Sequence, residues 1–201
     1  MKIKKVRPLT TRDNSQLPKN PRPKEWLAKD WSKGKIADYK PYNFVDGEGV
    51  RCSIYVSGCL FACPGCYNAA AQNFNYGIDY TPELEEQILN DLSAPYCQGL
   101  TLLGGEPFLN TNVLVPLCQK VRQRYGQSKD IWSWTGYTFE ELQEESRDKL
   151  DLLEMVDVLV DGRFLLAEMD LTKAFRGSRN QRIIDVKETY RQGKVVLYID
   201  D

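Results

Sequence analysis

The chain has 201 residues, with 27 Lys and Arg against 28 Asp and Glu for a formal charge of −1, six cysteines and no histidine. One domain of this length buries a core without disulfide staples. No apolar run approaches the length of a membrane span or a signal-peptide core, so the composition predicts a cytoplasmic protein with no membrane partner.

The near-neutral total hides an asymmetry: residues 1–40 hold 12 of the 27 basic residues and 4 of the 28 acidic ones, leaving 15 against 24 for the remainder. Residues 1–34 place Pro8, Pro18, Pro21 and Pro23 among lysines, arginines and small polar residues, a composition that buries too little apolar surface to fold alone. They are predicted to be a basic N-terminal arm, extended or disordered, preceding a folded domain over residues 35–201. Trp26-Leu27-Ala28 and Trp31 are exceptions, and predict a segment that docks on the domain or on a partner, most simply as a cap at the edge of the fold. The arm comes with no recognition fold, so nucleic acid is not a predicted partner.

From Arg51 onward strand-like and helix-like blocks alternate, the pattern of an α/β protein with a parallel sheet. Cys52–Val56 reads as the first strand and runs straight into Ser57-Gly58-Cys59-Leu60-Phe61-Ala62-Cys63-Pro64-Gly65-Cys66-Tyr67-Asn68. Three thiolates spaced C-x3-C-x2-C hold three corners of a cubane iron-sulfur cluster, which ordinary electron carriers close with a fourth cysteine. Here the local fourth ligand is missing, which leaves one iron open to a substrate or cofactor. Pro64-Gly65 predicts the tight turn such a loop needs. Thiolates also suit zinc. A structural zinc site wants four ligands, and without histidine only Cys52, Cys97 or Cys118 could complete one.

Downstream, Thr81 is placed to cap a helix that opens on Pro82 and carries Leu84, Ile88, Leu89 and Leu92 on one face. Gly99–Leu103 is the second strand and ends at Gly104-Gly105-Glu106. A helix over residues 112–125 follows, with Val113, Leu114, Leu117, Val121 and Tyr125 at helical spacing; Cys118 beside them reads as core filler. Asp130–Trp134 is the third strand, ending at Thr135-Gly136. An acidic helix over 139–146 and a short one carrying Leu150, Leu152, Leu153 and Met155 lead to a fourth strand, Val156–Val160, which ends at Asp161-Gly162-Arg163. Residues 182–186 and 195–199 are candidates for further strands.

Each candidate motif follows the C-terminal end of a strand, and in parallel α/β sheets those ends open onto one mouth. A lone Gly-Gly or Asp-Gly is usually just a turn, but four stretches in register with a cysteine loop point to one site. Gly104 and Gly105 would let a ligand approach the backbone closely, and Glu106 adds a carboxylate.

The cysteine loop continuing into Tyr67-Asn68, together with Phe44–Arg51, Gly104–Pro107, Trp132–Tyr137, Asp161–Phe164 and Arg176–Arg182, resembles the radical S-adenosylmethionine (SAM) enzymes. Within them it is similar to the glycyl-radical activating enzymes that serve the anaerobic ribonucleoside-triphosphate reductase. The likeness spans about residues 36–186; Glu48 stands where many members carry proline. The resemblance implies a partial (β/α) barrel with parallel strands and outer helices, and a [4Fe-4S] cluster on Cys59, Cys63 and Cys66 with SAM at its open iron. It also implies that Gly104, Gly105 and Glu106 meet the methionine amino group, and that Tyr67 lies near the adenine with Gly65 and Cys66 beside it. Thr135, Gly136 and Asp161 become later-strand contacts, and Arg51, Arg163, Arg176, Asn180 and Gln181 candidates for holding a glycine loop of the partner. The implied partners are the large subunit of the reductase and a one-electron donor such as flavodoxin. The implied reaction is reductive cleavage of SAM to a radical that removes a glycine Cα hydrogen from the reductase. A small-molecule radical SAM enzyme, such as one resembling 7-carboxy-7-deazaguanine synthase, and a non-enzymatic zinc or cluster-binding module are the alternatives.

Overall fold

The computed structural model describes residues 21–199, so the first twenty residues of the predicted arm lie outside the described residues. Its strands are β1 (Lys35–Asn43), β2 (Val50–Val56), β3 (Ile78–Asp79), β4 (Cys97–Gly104), β5 (Asp130–Trp134), β6 (Val158–Asp161), β7 (Arg182–Asp185) and β8 (Leu197–Ile199). They form one sheet in the order β3-β1-β2-β4-β5-β6-β7-β8. The four central strands, β2, β4, β5 and β6, are parallel. Both flanks are antiparallel, β1 with β2 and β3 on one side and β7 with β6 and β8 on the other. The sheet is therefore mixed and open, parallel only through its middle, rather than parallel throughout as predicted.

The parallel centre follows from its sequence. Cys52, Ile54 and Val56 of β2 and Leu100 and Leu102 of β4 join the main core, while Arg51, Ser53 and Thr101 are equally buried on the opposite face. Strands buried on both faces require helical crossovers, and three are present: α2 (Pro82–Asp91), α3 (Thr111–Tyr125) and the pair α4 (Phe139–Gln143) and α5 (Arg147–Met155). The predicted N-cap holds, since the Thr81 side chain accepts from Leu84 N and Pro82 opens α2. Helix α3 carries Pro116 in its interior, where it removes one backbone hydrogen bond. The predicted acidic helix ends early, at Gln143, after a capping box between Thr138 and Glu141.

The sequence reading missed β1. Of its nine residues only Ile36 is buried, it contains Pro41, and its register with β2 shifts twice. It is partnered by a full strand on one side and by the two-residue β3 on the other, the edge-like setting in which proline and bulges are tolerated. Residues 28–31 form a helical turn, α1, with Ala28 1% exposed, and Trp26 packs edge-on against Phe61 at 5.1 Å. The tryptophan segment is thus seated on the domain.

Candidate functional site

The ends of the four parallel strands are tied to one another by backbone hydrogen bonds. Gly105 N donates to Val56 O at 2.7 Å, Glu106 N to Gly58 O at 2.8 Å, Thr135 N to Val160 O at 3.0 Å and Gly162 N to Tyr137 O at 2.8 Å. The four motifs that the sequence placed after successive strands therefore meet. The stem of the cysteine loop is pinned by Gly58 N to Ala71 O at 2.7 Å and Cys59 N to Gln72 O at 3.1 Å. Cys66 N donates to Cys63 O at 3.1 Å, closing the turn, and Gly65 at its corner has φ +75°. Left-handed backbone of this kind favours glycine.

Glu106 is the hub of the mouth. Its carboxylate is 1% exposed and accepts from Phe108 N at 3.0 Å, Thr135 Oγ1 at 2.8 Å and Gly136 N at 2.8 Å. It splices the end of β4 to the end of β5, and Thr135 is fully engaged in doing so, since its Oγ1 also accepts from Tyr137 N at 3.1 Å. Burial raises the pKa of Glu106 to about 7, against the pull of those donors. A raised folded-state value means that its stabilising contribution is full below the ordinary value of 4.5 and is lost as pH rises through about 7. Between pH 6 and pH 8 the parent chain without its cluster is expected to lose about 1 kcal/mol more stability than Glu106→Gln. Urea midpoints at the two pH values check this; parallel shifts in both proteins would contradict it.

Cys59, Cys63 and Cys66 are free and half-buried, whereas Cys52, Cys97 and Cys118 are free and buried. Burial raises the Cys59 thiol pKa, and the charges of Glu106, Cys63 and Cys66 add to it. Burial likewise raises Cys63, with Cys66 adding and the Arg163 guanidinium opposing. The three thiols are therefore electrostatic neighbours at the open end of the sheet. Among the described residues no three His, Cys, Asp or Glu side chains gather as the ligands of one metal ion. Cys118 lies in the core, as its place on α3 predicted. Cys52 and Cys97 touch at 3.7 Å between sulfurs, and Cys97 pairs in register with Val50 at the far end of β2.

The other candidates fall into two groups. Tyr67 is wholly exposed beside the loop. Arg163 lies over the Phe61 ring at 4.8 Å, and Gly65 faces Leu166, whose Cδ1 is 3.0 Å from where a Cβ would stand. These surround the cysteines. Gly104 and Gly105, in contrast, are spaces filled by the protein itself: a Cβ at Gly104 would lie 2.8 Å from Val56 O, and one at Gly105 would lie 2.5 Å from Gly58 O. Asp161 is buried and accepts from Phe139 N at 2.8 Å and from Arg182 Nε at 3.0 Å. Asn180 Nδ2 donates to Arg163 O at 2.8 Å, and Gln181 bonds Gly177 N, Ser178 N and Gly162 O, so both knit the 162–181 loop. Arg176 Nε donates to Ala174 O at 3.4 Å in the same loop.

Arg51 is not at the mouth. It is fully buried near the start of β2, donates to Thr101 Oγ1 at 2.7 Å and Leu100 O at 3.0 Å, pairs with Asp130 and lies 5.2 Å from the Trp132 ring. A buried guanidinium with this many partners is a structural charge. The sequence reading also passed over Phe61 and Tyr137 as a pair. Their rings meet edge-on at 4.9 Å, and the signal available was an aromatic inside the cysteine loop matched by one just after Thr135-Gly136. A surface hollow of about 480 Å³ between α4 and α6 (Val186–Gln192) shares no residue with the cysteine loop.

Residues 45–184 match the family model of the 4Fe-4S single cluster domain, so a mixed α/β sheet carrying a half-exposed three-cysteine loop belongs to a single-cluster iron-sulfur protein. Relatives named anaerobic ribonucleoside-triphosphate reductase-activating protein narrow this further. The one from Haemophilus influenzae is 44% identical over 149 residues, covering 72% of this chain and 94% of the relative. That from Escherichia coli K12 is 40% identical over 147 residues, 71% and 93% of the two chains, and that from enterobacteria phage T4 is 39% identical over 145 residues, 71% and 88%. The chain belongs to the family of anaerobic ribonucleoside-triphosphate reductase-activating proteins.

Proposed function

We propose that the chain activates an anaerobic ribonucleoside-triphosphate reductase by placing a glycyl radical on its large subunit, using SAM and a [4Fe-4S] cluster on Cys59, Cys63 and Cys66. The observation that carries this reading is the gathering of four parallel-strand ends around a half-exposed loop with three free thiols and no fourth cysteine beside them. Residues 35–201 are the catalytic domain in this reading, and their open sheet a partial barrel of the radical SAM type.

A [4Fe-4S] cluster held by Cys59, Cys63 and Cys66 would supply the one-electron reduction of SAM on which removal of the partner's glycine hydrogen depends. The chain's own residues do the placing. Cys59, Cys63 and Cys66 would each hold one iron. Backbone carbonyls of Gly104-Gly105 and Thr135-Gly136 would face the methionine ammonium, the N–H groups of Gly105, Thr135 and Gly136 being taken by Val56 O, Val160 O and the Glu106 carboxylate, while Glu106 keeps those two strand ends at fixed separation. Tyr67, with its ring in solvent, would be the residue to cover the adenine. Leu166, which faces Gly65 of the cysteine loop, and Met169 and Leu171 a few residues on are exposed at 50%, 49% and 81%, apolar surface that a protein substrate would cover better than a small molecule. A flavodoxin-like donor is the electron source.

The test is electron paramagnetic resonance of the reductase from the same organism after anaerobic incubation with this protein, SAM and a reductant. A glycyl-radical doublet is expected, and it should vanish when the radical-site glycine of the reductase is replaced by alanine. SAM cleavage without the doublet would overturn the assignment.

A further inference from the structure

The cysteine loop has one deep apolar anchor. Phe61, midway between Cys59 and Cys63, is 1% exposed. Its ring meets Tyr137 edge-on at 4.9 Å and Trp26 edge-on at 5.1 Å, with Arg163 over it at 4.8 Å. A Cβ on Gly136 would come within 2.4 Å of the same ring. Tyr137, Gly136 and Arg163 lie inside the 45–184 span that matches the cluster domain. Trp26 does not.

Trp26 is itself held firmly. Its carbonyl accepts from Lys149 Nζ at 2.7 Å, and Lys24 N donates to Glu145 at 3.1 Å. Lys149 and Glu145, 2.9 Å apart, are both buried, and Lys149 also donates to Tyr137 Oη at 3.1 Å. Five residues on, Trp31 lies 5.7 Å from Phe74, and Phe74 fills the space beside Gly58, where a Cβ would stand 2.0 Å from its ring. Ser32 Oγ donates to Asn110 Oδ1 at 2.9 Å, closing the segment onto the turn after Glu106. One short segment therefore reaches the cysteine loop twice, at its start through Phe74 and Gly58 and at its middle through Phe61.

We propose that residues 24–32 are a brace for the cysteine loop and that Trp26 is a positioning residue for Cys59 and Cys63, acting through Phe61. The proposal rests on the reading that these cysteines hold the cluster. With the indole removed, Phe61 loses one wall of its slot while the loop stays tethered at its stem. The thiols then sample more arrangements, and the chain surrenders iron more readily.

The test uses Trp26→Ala and Trp26→Phe in the full chain with two readouts. The first is the alkylation rate of each cysteine in the chain without its cluster, resolved by peptide mass spectrometry. The second is the half-life of iron release to a chelator after anaerobic reconstitution. Trp26→Ala should speed alkylation of Cys59 and Cys63, and iron release, about tenfold, the scale of one or two lost edge-to-face contacts. Buried Cys118 should stay as unreactive as in the parent, and Trp26→Phe should recover most of the effect. Parent-like rates in Trp26→Ala would overturn the brace. So would equal acceleration at Cys118, or a Trp26→Phe chain no better than the alanine one, since either marks general loosening. Failure of the parent to hold any cluster would instead refute the functional reading, leaving the alkylation rates to judge the brace alone.

Discussion

Alanine at Cys59, Cys63 or Cys66 is expected to abolish the cluster outright, while Cys97→Ala and Cys118→Ala keep it. The reason is positional. Cys97 pairs with Val50, and the loop departs after Val56, which puts the two about 20 Å apart along β2 at the usual strand rise. Cys118 is buried in α3 against the main core. Neither reaches the mouth without unfolding the sheet, so no spare thiol can replace a lost ligand. Iron and sulfide counts on anaerobically reconstituted variants decide the matter. Loss of iron from Cys97→Ala equal to that from Cys63→Ala would mean four protein ligands and no open iron, which removes the SAM site with it.

Gly105→Ala is expected to destabilise the chain by about 3 kcal/mol even with no cluster or SAM present. The added methyl would stand 2.5 Å from Gly58 O and 2.9 Å from Ala71 O. Both are backbone atoms in the stem of the cysteine loop, and neither yields as a flexible side chain would. The loop would have to lift away from β4, weakening the bond from Glu106 N to Gly58 O and the placement of Cys59 beside it. Urea unfolding of the chain without its cluster measures this directly. If the glycine mattered only for ligand approach, stability in that state would equal the parent's and only SAM binding would suffer.

Much was legible from the chain alone, and for local reasons. Periodicity and caps placed α2, α3 and the parallel strands, because buried strands read as apolar runs and Thr81-Pro82 starts a helix whatever surrounds it. The spacing of Cys59, Cys63 and Cys66 pointed to a cluster because three thiolates within eight residues have few other uses. The order of strands followed by short glycine-containing motifs placed those motifs at one mouth, because parallel strands share an end. The flanking topology was not legible: β1 buries a single residue, and its polar, proline-containing sequence becomes a strand only because β2 offers it an unpaired edge.

Roles within the mouth were decided by packing between residues distant in sequence. Glu106 looked like a charge for a ligand, but Phe108, Thr135 and Gly136 converge on it. Gly104 and Gly105 looked like room for a cofactor, yet β2 and the loop stem fill that room. Arg51 looked like a surface anchor and is a buried charge paired with Asp130, seventy-nine residues away. Trp26 read as a residue that docks on the domain or a partner, and only the fold showed that its contact is Phe61 of the cysteine loop. Spacing along the chain determined which chemistry this protein can hold, whereas only the tertiary structure decided which polar groups remain free for a ligand, because burial and competing partners are properties of the folded neighbourhood.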